Sequence, residues 1–322
     1  MGLFDRAIAG DQSALARIAT LVENDNQDAI SALESLGPPE RAVHVVGITG
    51  PPGVGKSSLI NHLLAELRNA DTRIAVLLVD PSSQATGGAV LGDRVRMLAW
   101  GDSDVFVRSQ ASRGQEGGLA PSTATLIDLF ACMRFDLVLI ETVGVGQDAV
   151  DVRTVCDTTI VLQSPHLGDS VQALKAGILE IADIFVVSKS DLTGARQAVR
   201  DLNAMLHMSP VAETGWSIPV LSASSTDETG FEALGLKIAA HREYLLAHPD
   251  YDSRSARLRW EITKRALGRV AIASLRTESW INAGSRDAQT RALLEAALDW
   301  QPGHPVSAFG AIPLEEEGHR SE

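Results

Sequence analysis

The arrangement of apolar and polar positions changes character twice along the chain. Through residue 36, apolar side chains recur at helical spacing (Leu3, Ile8, Leu15, Ile18, Leu21, Ile30, Leu33) until the cluster "GPPE", Gly37 to Glu40, breaks the pattern. From Arg41, short runs rich in Val, Ile and Leu alternate with longer amphipathic stretches. The runs are "AVHVVGI", "RIAVLLV", "DVFVRS", "FDLVLIE", "TTIVLQ", "DIFVVS" and "IPVLSA". Apolar at nearly every position, they suit strands buried on both faces. Strands alternating with helices predict an α/β fold, a doubly wound and mostly parallel sheet with its ligand at the strands' carboxyl ends. After about Gly235 the strand signals cease. "FEALGLKIAAHREYLLAH", "SARLRWEITKRALGRVAIASLR" and "DAQTRALLEAALDW" predict three helices, the first a cap on the sheet domain. The tail from Gln301, with three consecutive glutamates, is expected to be poorly ordered. Four regions follow: a helical extension over 1–40, the α/β domain over 41–235, a helical region over 236–300 and an acidic tail over 301–322.

Composition narrows the class. Among 322 residues, 45% are apolar, enough for a sizeable core, yet no run approaches the ~20 residues of a membrane span. The N-terminus has no signal-like apolar core, and Arg6 stands where a myristoylation signal needs Ser or Thr. A cytoplasmic protein is expected. A net charge of −13 argues against a nucleic-acid binder. Cys132 and Cys156 form no CxxC and are expected to be buried, inert thiols, and the eight histidines make no zinc pattern.

The chemistry starts at "GPPGVGKS". Gly50, four residues, then Gly55-Lys56-Ser57 follow a predicted strand and open a predicted helix, the context a P-loop requires. Glycines let backbone N–H groups turn inward around phosphate oxygens at a helix N-terminus. Gly50, Pro51, Pro52, Gly53, Val54, Gly55, Lys56, Ser57 and Ser58 are the expected phosphate-binding set. Lys56 should neutralise the β- and γ-phosphates and Ser57 should ligate Mg²⁺. The run "DLVLIETVGVGQ" ends a strand in Glu141, a carboxylate beside that site, and Gly144 lets a backbone N–H approach a γ-phosphate. Asp80 ends the second strand and Asp93 follows a glycine-rich segment. Two acids near a Mg-triphosphate can serve as metal ligand and water-positioning group, or either can be a helix cap, Asp93 especially.

"FVVSKSDL", Phe185 to Leu192, reads as a base-recognition segment with one substitution. Asp191 can accept from both guanine N1–H and its amine, a pair that adenine lacks. Lys189 would lie along the base. Ser188 stands where asparagine commonly ties neighbouring loops together and contacts the base, which predicts weaker guanine binding with the same preference. Ser222, Ala223 and Ser224 follow another strand, where small residues let the backbone reach the guanine carbonyl.

These residues resemble the MeaB/ArgK-type GTPases, which include the MMAA proteins. The resemblance covers roughly Gly37 to Leu245 and rests on "GITGPPGVGKSSLI", "VDPSSQATGGAVLGDRVRM", "SRGQEGGLA", "ETVGVGQ" and "GDSVQALKAGILEIADIFVVSKSDL". It implies a P-loop GTPase of the SIMIBI type, acting as a chaperone for an adenosylcobalamin-dependent acyl-CoA mutase. Such a protein assists cofactor loading and protects the mutase, which stimulates its hydrolysis. The cobalamin belongs to the partner, and Mg²⁺ and GTP or GDP to this chain. Carried over by motif, Asp80, Asp93 and Glu141 match the acids around Mg²⁺, with Asp80 ranked above Gln147 as the hydrolytic candidate. Asp169, Gln172 and Lys175 match a partner-sensing switch. His166 and Ser170 depart from the usual Pro-Gly-x-Gly-Asp-Glu, which suggests a less common mutase, for a branched or hydroxylated acyl group. The C-terminal helices resemble a dimerisation extension, implying a homodimer. The alternatives are a nickel-inserting GTPase, which needs a His/Cys cluster that the sequence lacks, and a small-molecule kinase, which needs an acceptor pocket.

Overall fold

A computed structural model describes residues 2–37, 39, 42–68, 72–80, 104–111, 119–120, 122–142, 149–165, 178–208 and 215–248. The seven apolar runs become seven strands: β1 (His44–Thr49), β2 (Ile74–Asp80), β3 (Val105–Ala111), β4 (Leu137–Glu141), β5 (Thr158–Gln163), β6 (Ile184–Val187) and β7 (Val220–Ser222). Their order is β3-β2-β4-β1-β5-β6-β7, and each neighbouring pair is parallel. From β1 the chain steps out to β2 and the edge strand β3, returns to β4 beside β1, then crosses to β5, β6 and β7 on the other side. The order therefore reverses between β1 and β5, where open α/β sheets present a crevice at their carboxyl ends.

Alternation along each strand decides which helices cover it. Val46 and Ile48 of β1, Ile160 and Leu162 of β5, and Ile184 and Val186 of β6 point to one face. There they meet α4 (Lys56–Leu67) through Leu59, Ile60, Leu63 and Leu64, and α9 (Phe231–Ala247) through Phe231, Leu234 and Ile238. Full burial of each such side chain is worth about 1.5–3 kcal/mol. Val161, Phe185 and Val187 point to the opposite face with Ala195 and Leu202 of α8 (Ala195–Met208) and Ile181 of the short α7 (Ile178–Ile181). Also on that face is α6 (Ala149–Val155), which reaches the sheet at Gly47. A Cβ at Gly47 would lie 2.4 Å from Val152 Cγ1 and 2.7 Å from Cys156 Sγ, so only glycine admits the helix at this depth.

Helix α9 crosses the expected division at residue 235, and the helical layer of the sheet domain continues to Ala247. It is tied to the strands' amino ends by buried polar contacts: Thr158 Oγ1 lies 3.0 Å from His44 Nε2 and 2.8 Å from His241 Nδ1. The helical pattern before residue 36 resolves into α1 (Leu3–Ile8), α2 (Gln12–Glu23) and α3 (Gln27–Glu34). Asp11 and Asn26 cap the last two by accepting from Ala14 N and Ala29 N. These helices brace β3. Arg108 donates to Ala16 O at 3.1 Å and Thr20 Oγ1 at 3.1 Å and pairs with Glu23, and Gln12 Nε2 donates to Val105 O at 3.2 Å. The predicted helices beyond residue 250 and the tail from Gln301 lie outside the described residues.

Of the two thiols, Cys156 is buried as expected, but Cys132, at the end of α5 (Thr123–Cys132), is only half-buried. Burial, reinforced by Asp128, pushes the Cys132 thiol up to about 11. Iodoacetamide at pH 8 should therefore modify it about a hundredfold more slowly than an ordinary cysteine, because the thiolate is the nucleophile. Mass-spectrometric labelling rates check this, and labelling at the rate of a free thiol would contradict it.

Candidate functional site

A loop that holds phosphates must turn its amides inward and its carbonyls outward, and this chain fixes the carbonyls with three side chains. Lys56 Nζ donates to Gly50 O at 2.9 Å and Pro51 O at 3.3 Å. Lys189 Nζ donates to Gly53 O at 2.9 Å and Ser188 Oγ to Val54 O at 2.7 Å. Glycine supplies the turns: Gly53 and Gly55 have φ of +72° and +102°, and Gly55 caps α4. At Gly50 a Cβ would come within 2.7 Å of Leu162 O, so the loop lies directly on the end of β5. The first residue of α4 is Lys56, at a helix N-terminus that favours anions. It is buried, and desolvation holds its pKa below that of an ordinary lysine, partly opposed by Glu141.

Ser57 Oγ donates to Glu141 Oε1 at 3.0 Å. A hydroxyl and a carboxylate side by side are the hard oxygen donors that Mg²⁺ prefers, so this pair fits the ion that the P-loop implies. Strand pairing places Glu141 opposite Ile48 of β1 and Leu78 of β2. The backbone of Asp80, two residues beyond Leu78, thus reaches the same carboxyl edge. The side chain of Asp80 is outside the described residues, as are Asp93, Gly144, Gln147, Asp169, Gln172 and Lys175.

The segment expected to recognise the base follows β6 and lies beside the end of β7. Ser188 N and Oγ both donate to Gln163 O, at 2.8 and 2.9 Å, holding this loop to the end of β5. Lys189 takes φ of +53°, unusual for a side chain with a Cβ, and this turn carries its ammonium back to the phosphate loop. Asp191 is exposed, and its Oδ1 accepts from Ser224 Oγ at 2.7 Å. Ser224 is fully buried and also accepts from Asp227 N at 3.1 Å. The amides of Ala223 and Ser224 donate to Val187 O and Thr229 O, so these two N–H groups have partners inside the protein. The turn that follows, over residues 225–228, is exposed. Gly230, which no sequence pattern singled out, holds this arrangement close: its φ is +88°, and a Cβ there would lie 2.0 Å from Ser222 O. A glycine directly before an apolar helix start was the available signal.

A glycine-turned loop with Lys56 and Ser57, opening a helix at the reversal point of a parallel sheet, defines a P-loop nucleoside triphosphatase of the SIMIBI type. Comparison with known proteins makes the class specific. The chain belongs to the MeaB family: the family model described as "Methylmalonyl Co-A mutase-associated GTPase MeaB" matches residues 15–276. A protein of Pyrococcus abyssi, provisionally named a GTPase, is 42% identical over 266 residues, covering 82% of this chain and 80% of that one. A segment of the fused isobutyryl-CoA mutase of Geobacillus kaustophilus is 37% identical over 208 residues, 62% of this chain and 19% of that one. A solved LAO/AO transport system kinase shares the fold, with a TM-score of 0.64 and 24% identity over 92% of this chain and 96% of that one. Family and fold make this chain a GTP-hydrolysing P-loop enzyme.

Proposed function

We propose that this GTPase serves an adenosylcobalamin-dependent acyl-CoA mutase, gating cofactor loading and protecting the loaded enzyme. The observation that carries this reading is the fused mutase, in which a segment like this chain shares one polypeptide with a mutase; a second fused isobutyryl-CoA mutase, from Cupriavidus metallidurans, matches over 203 residues. The family model is named for the methylmalonyl enzyme and the fused relatives for an isobutyryl one; the departures at His166 and Ser170 incline this reading to a branched or hydroxylated acyl group. The protein is read as a cytoplasmic homodimer; among the described residues no helix is long and apolar enough to cross a membrane.

In this reading the phosphate loop binds the triphosphate through its inward amides, and Lys56 turns from its carbonyls to the β- and γ-oxygens. Ser57 and Glu141, with Asp80 and Asp93 as further candidates, would hold Mg²⁺, which would supply charge neutralisation for the triphosphate. Asp80 orients the attacking water, and Gly144 offers its amide to the γ-phosphate. Ser224 fixes Asp191 against the Watson–Crick edge of guanine. Docking of the mutase is sensed through Asp169, Gln172 and Lys175 and accelerates an otherwise slow hydrolysis.

The test is GTP turnover with and without purified isobutyryl-CoA mutase and methylmalonyl-CoA mutase. Stimulation of tenfold or more by one of them is expected, and no stimulation and no complex with any cobalamin mutase would refute the assignment. A second expectation concerns the base. Asp191→Asn should weaken GDP about a hundredfold and make xanthosine diphosphate the better ligand, because the amide can then donate to xanthine's C2 carbonyl. Calorimetry with both nucleotides reads the exchange, and unchanged GDP affinity would remove Asp191 from the base site.

A further inference from the structure

Guanine's second edge, away from the groups that Asp191 would bind, carries only acceptors, N7 and O6. A side chain can read N7 only by donating a hydrogen bond. Ser188 is the residue placed at the end of β6 where such a donor would come from, and its hydroxyl has one proton. That proton is shared between two buried carbonyl oxygens, Val54 O at 2.7 Å and Gln163 O at 2.9 Å, and Ser188 itself is 7% exposed. The next residue, Lys189, is likewise turned onto Gly53 O. Both side chains therefore act on the phosphate loop rather than toward the base.

We infer that Ser188 is a positioning residue for the phosphate loop and that neither it nor Lys189 reads guanine N7. Among the described residues, guanine selection then falls on the Watson–Crick edge. This rests on the guanine-nucleotide reading of the site given above. In physical terms, Ser188 keeps the loop-tying half of an asparagine's work and gives up the base-contacting half. Holding Val54 O fixes the peptide that carries the Gly55 amide at the start of α4, so the effect of Ser188 should be felt by any nucleotide, whatever its base.

The experiment uses the full chain with Mg²⁺ and four ligands: GDP, 7-deaza-GDP (N7 replaced by C–H), ADP and GTP. In the unmodified protein, GDP and 7-deaza-GDP should bind within about twofold of each other. A fivefold or greater loss with 7-deaza-GDP overturns the inference, because a donor then reads N7. In Ser188→Ala, affinities for GDP, 7-deaza-GDP and ADP should fall by one common factor, about three- to tenfold for one lost hydrogen bond. A loss confined to GDP would make Ser188 a base contact. A lowered Tm with unchanged affinities would make it merely structural, and either result overturns the proposal. If the variant fails to fold, the 7-deaza comparison decides alone. Should the unmodified protein bind ADP as well as GDP, the guanine reading itself falls, independently of the common-factor result.

Discussion

Replacing Lys56 by alanine should weaken Mg-GTP binding at least a hundredfold, about 3 kcal/mol, and abolish turnover. The lysine is the one ammonium at the start of α4 that can exchange the carbonyls of Gly50 and Pro51 for phosphate oxygens. Stability should move the other way, or hardly at all. Burial lowers the Lys56 pKa, so the unfolded chain holds this proton more tightly than the folded one does. At neutral pH the buried cation therefore costs stability, and the cost is relieved only as pH rises through the folded pKa toward the ordinary lysine value. Removing it offsets the loss of the donor to Gly50 O and Pro51 O, and the Tm should change by no more than ~3 °C. Calorimetric titration and thermal melts on the same sample check both halves. Normal GTP affinity in a folded Lys56→Ala protein would mean that the triphosphate binds elsewhere.

Gly47→Val should be the most damaging single change in the sheet, costing at least about 3 kcal/mol and lowering the Tm by more than ~8 °C or preventing soluble expression. Its Cβ alone would overlap Val152 on α6 and Cys156 just beyond that helix, and a strand in mid-sheet cannot step aside. Gly47→Ala gives the more informative series. Combined with Val152→Ala, which removes the nearer of the clashing atoms, it should destabilise less than the two single changes added together, by ~1 kcal/mol or more. Strict additivity in chemical denaturation would mean that α6 does not rest on Gly47 in solution.

The elements most legible in the sequence were those fixed by local pattern. The five inner strands were legible because a doubly covered parallel strand must be apolar at nearly every position, and that signature needs no partner to be seen; the edge strands β3 and β7 carry it only in part. The phosphate loop was legible for the same reason, since its glycines, Lys56 and Ser57 are contiguous. Contacts between distant residues had no such signature. Ser188 holds Val54 across 134 positions, and Arg108 holds Glu23 across 85, and neither pairing leaves a trace in the spacing of either segment. The helical extension was therefore visible as helix but not as the brace of β3. The substitution at Ser188 was visible as a departure, while the direction of its hydroxyl was not. The small residues after β7 were legible as a pattern, but the partners of the Ala223 and Ser224 amides, Val187 O and Thr229 O, were not.

The seating of α6 on Gly47 also bears on the loop that Glu141 introduces. Thr142 N donates to Ile48 O, and α6 returns to the sheet at Gly47, the neighbouring residue of the same strand. Thr142 and Val152, ten positions apart in the chain, are therefore held at adjacent positions of one strand. Their separation is set when the core folds and not by a ligand, and the entropy of closing the chain between them is met at that stage.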